Sequence, residues 1–264
     1  MKKANELKQI VQDKYAEIVT QEKSCCGDDC CSTDESASSL KEQYENLDGY
    51  LAEADYSLGC GVPTKLAEIK ETDTVLDLGS GAGNDVFIVR RLVGETGKVI
   101  GVDFTPQMIE RANINKEKLA YDNVEFKLGD IESLPIDNNS IDVVISNCVL
   151  NLVPDKQKAF NEIYRVLKPG AHFCVSDIVN NGQIPEGLKE SAEAYAGCIS
   201  GAIAKDAYVS LIKNAGFTNI EIKQSNKTNL PDEILSKYMT QAEIIEYRRS
   251  DDGIFSITIS GYKN

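Results

Sequence analysis

From residue 72 onward the hydrophobic positions alternate between two periods. Short β-branched runs, TVLDLG, KVIGVD, VEFKLGD, IDVVISN and HFCVSD, carry the pattern of buried strands. The segments between them at 84–93, 106–120 and 155–167 read as helices. Strands and helices in this alternation predict an α/β fold, a doubly wound and mostly parallel sheet with helices on both faces. NIEIKQS and IFSITISGYK then read as two closing strands, the last antiparallel.

Upstream the pattern changes. Residues 2–20 place Leu7, Ile10, Val11 and Ile18 at helical spacing, which predicts an amphipathic N-terminal helix. The polar stretch SCCGDDCCSTDESASS reads as a loop, LKEQYENL as a second helix, and DYSLGCGVP, rich in glycine and closed by proline, as another loop. Three regions follow: a helical arm with a Cys-rich loop at 1–45, an α/β core at 46–180, and a helical substrate-binding segment with the closing strands at 181–264.

Composition narrows the class. A chain of 264 residues with 42% apolar and 27% charged residues fits one globular domain with additions. No apolar run approaches the roughly 20 residues that span a bilayer, so a cytoplasmic protein with no membrane partner is expected. The balance of 28 basic against 42 acidic residues leaves a net charge of −14, which repels nucleic acid. In a reducing compartment eight cysteines serve metals, metalloids or redox chemistry better than disulfides.

The sharpest local signal is VLDLGSGAGND, where a strand runs into Gly79, Gly81 and Gly83. Missing side chains there let backbone approach a ligand beyond the strand's carboxyl end. The spacing is Asp-x-Gly-x-Gly-x-Gly, and Asp77 ahead of the first glycine opposes a pyrophosphate but attracts an ammonium. A cationic amino-acid cofactor fits better than a dinucleotide. At the next strand end Asp103 can accept hydrogen bonds from ribose hydroxyls. At the third, Asp130 can read an adenine amino group while Ile131 and Phe104 cover the ring.

With LKPGAHF downstream, these segments resemble the class I methyltransferases that use S-adenosylmethionine. LGCGVP, IDVVISNCVLNL and AGCISGA, together with LDLGSGAGND and GVDFTPQM, resemble blocks of the arsenite methyltransferases within that superfamily. The resemblance implies a Rossmann-like core and S-adenosylmethionine as cofactor, with Ser80, Asn84, Met108 and Asn147 joining the residues above around it. It makes Cys60, Cys148 and Cys198 the arsenic-binding, catalytic thiolates. Arsenite or its thiol conjugates would be the substrate and a small thiol or thioredoxin-type protein the reductant. Soft trivalent arsenic suits three thiolates and keeps a lone pair free to displace a methyl in line.

Two other readings share some of these features: a C- or O-methyltransferase of a quinone or other small organic acceptor, and a non-catalytic thiol-rich metalloid carrier. His172 and Cys174 lie inside a strand and read as packed residues. Cys25, Cys26, Cys30 and Cys31 sit in a polar loop and read as a capture site for metalloid, a disulfide pair or an adventitious zinc site.

Overall fold

The structure is a computed structural model describing residues 2–21, 35–182, 201–230 and 232–264. Its frame is one seven-stranded sheet in the order β3-β2-β1-β4-β5-β7-β6. The strands are β1 (Thr74–Leu78), β2 (Lys98–Asp103), β3 (Val124–Leu128), β4 (Ile141–Asn147), β5 (Leu167–Asn181), β6 (Thr218–Lys227) and β7 (Gly253–Tyr262). The first five pair in parallel, and β7 runs antiparallel between β5 and β6. Both closing strands thus complete the same sheet, and β7 pairs along β5 from His172 to Asn181.

Alternation along the strands builds two cores. Leu76, Leu78, Val102 and Val144 face one side, packed on Phe160 and Ile163 of α5 (Lys156–Val166) and Tyr208 of α6 (Lys205–Asn214). Val75, Val99, Val143 and Ile145 face the other, packed on Val86, Phe87 and Val89 of α3 (Asn84–Val93). Phe87 and Phe160 are fully buried, and each such side chain contributes about 2–3 kcal/mol from area removed from water.

The order of the sheet reverses at β1, where β2 continues one way and β4 the other. Parallel neighbours end on the same edge, so the loops after β1, β2 and β4 meet above this switch point, where open α/β sheets bind ligands. The N-terminal helix α1 (Lys2–Gln21) packs against α4 (Pro106–Leu119) and reaches that edge. The next helix, α2 (Glu35–Glu45), brings Tyr44 to it. The remaining helices are α7 (Asp232–Leu235) and α8 (Gln241–Arg249), the latter opened by a capping box between Thr240 and Glu243. Among the described residues no helix is long and apolar enough to cross a membrane.

Candidate functional site

A cavity of about 410 Å³ lies over the switch point. Gly79 and Gly81 shape its floor with φ of +69° and +52°. A Cβ at Gly79 would lie 2.4 Å from Val149, whereas at Gly81 it would meet only Met108 Sδ at 3.8 Å, leaving backbone open to a ligand. Gly83 does not line the cavity; it opens α3 at φ +99°, and a Cβ there would collide with Phe87 and Phe126. Its glycine is a packing requirement, where the sequence pattern had placed it at the cofactor. Ser80 lies so close to β2 that a Cβ on Gly101 would be 2.7 Å from its hydroxyl.

Asp103 is buried and already accepts the N–H of Gly81 at 3.0 Å and of Thr105 at 2.8 Å. It therefore staples the glycine loop to β2 as well as facing the cavity. Burial raises its pKa, and those backbone donors partly offset the rise. Asp130, Ile131, Phe104 and Met108 form the next wall. Here α1 intervenes: Lys8 Nζ meets Asp130 at 2.6 Å and Glu132 at 2.9 Å, and Gln12 donates to the Phe104 carbonyl at 2.6 Å. The arm thus fastens onto the wall assigned to adenine.

At the opposite end Asp77 and Asp85 form an acidic pair. Burial, then the charges of Asp85 and Asp103, holds the Asp77 carboxyl well above the usual range. Burial likewise pushes Asp85 up to about 6, although it accepts from Tyr44 OH at 3.0 Å and from Asn147. Two desolvated carboxylates side by side favour a cation between or beside them. Asn147 spends its amide on structure: Oδ1 accepts from Cys60 N–H at 3.0 Å and Gly61 N–H at 3.3 Å, and Nδ2 donates to Tyr44 OH at 2.7 Å and the Gly61 carbonyl at 2.9 Å. It ties the Cys60 loop to the end of β4.

That tie brings two thiols together. Cys148 follows β4 in the left-handed region at φ +59°, with its N–H donating to the Ser176 carbonyl at 2.8 Å. A non-glycine residue in that conformation carries strain that its surroundings must hold. Cys60 is half-buried, and the Ser256 hydroxyl donates to its carbonyl. The sulfurs of Cys60 and Cys148 and a carboxylate oxygen of Asp177 all lie within 4.8 Å of one another. Burial pushes Asp177 up to about 7, against hydrogen bonds from Tyr208 and the Ile178 N–H. Close above β4, Gly59 and Gly61 are needed because a Cβ on either would sit 2.6 Å from Asn147 or Ser176.

The other thiols separate from this pair. Cys174 is fully buried in the core on the α3 side, and burial pushes its thiol up to about 12. His172 bonds the Ala67 carbonyl at 2.7 Å and stacks on Tyr262, outside the cavity. Cys198, and Cys25, Cys26, Cys30 and Cys31, lie outside the described residues.

The cavity suits a nucleoside cofactor with a cationic amino-acid tail. Asn84 Oδ1, buried in its wall, has no hydrogen-bond partner among the described residues, and Asp77 and Asp85 set two desolvated carboxyls at the same end. Sequence reasoning missed Lys8, Tyr44, Asp85 and Asp177. Asp85 stood inside the quoted glycine motif and Asp177 at the end of HFCVSD, so their positions were legible. Lys8 and Tyr44 carried no local signal.

Residues 69–216 match the family model described as a methyltransferase domain. The chain is 39% identical to an arsenite methyltransferase of Halobacterium salinarum over 92% of its own length, and spans 64% of that relative. It is 30% identical to an arsenite methyltransferase of Aquipseudomonas alcaligenes, over 88% of this chain and 68% of that one. The solved structure of an arsenic(III) S-adenosylmethionine methyltransferase from Chlamydomonas reinhardtii superposes with a TM-score of 0.63 at 30% identity, over 86% of this chain and 72% of that one.

Proposed function

Given that the chain belongs to the methyltransferase-domain family and, within it, to the arsenite methyltransferases, we propose that it methylates trivalent arsenic held by its own thiolates, with S-adenosylmethionine as donor. The observation that carries the reading is the meeting of Cys60 and Cys148, far apart in sequence, at one end of the cavity floored by the glycine loop.

Asp103 would hold the ribose, Asp130 with Ile131 and Phe104 the adenine, and Asp77 with Asp85 the ammonium. When bound, S-adenosylmethionine would supply a sulfonium methyl, an electrophilic carbon open to in-line attack by a lone pair with S-adenosylhomocysteine as the leaving group. Cys60, Cys148 and Cys198 would grip arsenic and leave its lone pair outward. That nucleophile carries no proton, so the site has no need of a general base; the chain's one histidine is spent on Ala67. Catalysis then rests on orientation, which Asn147 supplies by fixing Cys60 against β4. A reduced, cytoplasmic setting with a small thiol or a thioredoxin-type protein would keep these thiols available.

The test is mass spectrometry of S-adenosylhomocysteine and methylated arsenic formed with and without arsenite. Arsenite-dependent methylarsenic is expected. Cofactor turnover only with a quinone or similar acceptor, or arsenic binding without product, would overturn the reading in favour of an organic-acceptor enzyme or a carrier. Cys148→Ser and Cys198→Ser should abolish turnover of arsenite. Cys60→Ser should retain turnover of methylarsenite, whose two exchangeable positions need only two thiols.

A further inference from the structure

Beside the two thiols stands a carboxylate for which methyl transfer itself has no use. Asp177 lies on β5, fully buried, with its backbone fixed opposite Ile257 of β7. Tyr208 OH donates to its Oδ2 at 2.9 Å and the Ile178 N–H to its Oδ1 at 3.2 Å. Tyr208 is itself fully buried and packs edge-on against Phe160 at 5.4 Å. The group is thus held in place from two elements, with an oxygen within 4.8 Å of both sulfurs.

A carboxylate is a hard donor and a poor rival to sulfur for soft arsenic. Arsenite nevertheless arrives bearing oxygen, as an acid with three As–OH groups. We propose that Asp177 accepts the hydrogen bond of the As–OH that remains while arsenic is held by Cys60 and Cys148, which makes it a specificity residue for oxygen-bearing arsenic. The inference rests on the arsenic-methylation reading and extends it to the loading step.

The step balances without a redox partner. Two As–O bonds are replaced by two As–S bonds, and the protons of the two thiols leave with the departing hydroxyls as two waters. Arsenic stays trivalent. The third hydroxyl stays until a third thiol removes it as a third water. Meanwhile it is a donor in a buried site and needs an acceptor. Arsenic delivered as a tris-thiolate conjugate brings no hydroxyl and places no demand on Asp177.

Asp177→Asn tests this, because the amide oxygen can keep the Tyr208 bond while an NH2 replaces an acceptor near the thiols. Rates are measured with arsenite under a trialkylphosphine reductant, and separately with the triglutathione conjugate of arsenic. The arsenite concentration for half-maximal rate should rise about tenfold, the cost of leaving one buried donor without its acceptor, with the conjugate within about twofold of wild type. Tyr208→Phe, which keeps the carboxylate but loosens it, should shift in the same direction by less, and it decides the matter if Asp177→Asn does not fold. X-ray absorption of a variant with Cys198 and also Cys25, Cys26, Cys30 and Cys31 replaced by serine, loaded with one equivalent of arsenite, should give two sulfurs and one oxygen on arsenic. Equal shifts for both substrates, no shift, or an arsenic shell of sulfur alone would overturn the proposal. Wild-type protein that methylates neither substrate would instead overturn the arsenic reading on which it rests.

Discussion

Lowering the pH should loosen S-adenosylmethionine at its amino-acid end, and the size of the effect follows from Asp85. Its carboxyl sits at about 6 because burial outweighs the bonds from Tyr44 and Asn147, with the charge of Asp55 adding to the rise. Asp77 beside it is raised as well, first by burial and then by Asp85 and Asp103. A bound ammonium favours the ionised forms, so binding releases protons wherever the free site holds them. The sign is therefore fixed: affinity is full above the raised pKa and lost as pH falls through it. From Asp85 alone, the site is mostly ionised at pH 7.5 and about one-tenth ionised at pH 5. The dissociation constant should then rise roughly tenfold between those values, with Asp77 steepening the slope. Isothermal titration at pH 5, 6 and 7.5, in buffers of different ionisation enthalpy, reads both affinity and protons released. Asp85→Asn should weaken binding at pH 7.5 and flatten the profile. 5′-Methylthioadenosine, which lacks the amino acid, should show a smaller slope, carried by Asp103 at the ribose. Affinity constant to within twofold from pH 5 to 7.5, or the same slope for the truncated ligand, would refute the assignment of this pair to the ammonium.

The same carboxyl makes the free protein less stable as pH rises between about 3.8 and about 6, because the folded state keeps a proton that the unfolded chain releases; on the order of 2 kcal/mol separates pH 4.5 from pH 7, and denaturant midpoints at those values with Asp85→Asn as reference measure it. Asn147→Ala strips the Cys60 and Gly61 N–H groups of their acceptor, at about 1–3 kcal/mol each, so a lower melting temperature and at least a tenfold loss of arsenite turnover are expected. Lys8→Met removes a partly buried cation from Asp130 and Glu132, worth about 1 kcal/mol, and should raise the S-adenosylmethionine dissociation rate about fivefold in stopped-flow measurements. Replacing Cys25, Cys26, Cys30 and Cys31 with serine should raise the arsenite concentration for half-maximal rate, leave the saturated rate intact, and be partly rescued by excess glutathione.

The sheet and the cofactor motif were legible in the sequence because both are local. Alternation in TVLDLG or IDVVISN sets which side chains face each core, and a strand ending in Gly79 and Gly81 fixes where backbone can approach a ligand. The acids at the ends of β1, β2 and after β3 follow from strand boundaries alone, since parallel strands end on one edge. What the tertiary structure decided are the pairings of distant parts of the chain that no periodicity encodes. The motif's spacing cannot distinguish Gly81, open to a ligand, from Gly83, filled by Phe87 and Phe126, because the difference lies in what packs above each. Asp103 proved to be a buried staple of the glycine loop as well as a strand-end acid. Asn147, assigned to the cofactor by resemblance, directs its amide to the Cys60 loop and Tyr44. Lys8 reaches Asp130 across 122 residues, and Cys60 meets Cys148 and Asp177 only once β4 and β5 lie side by side. Such contacts depend on where the sheet reverses and how the arm docks, and those are properties of the whole fold.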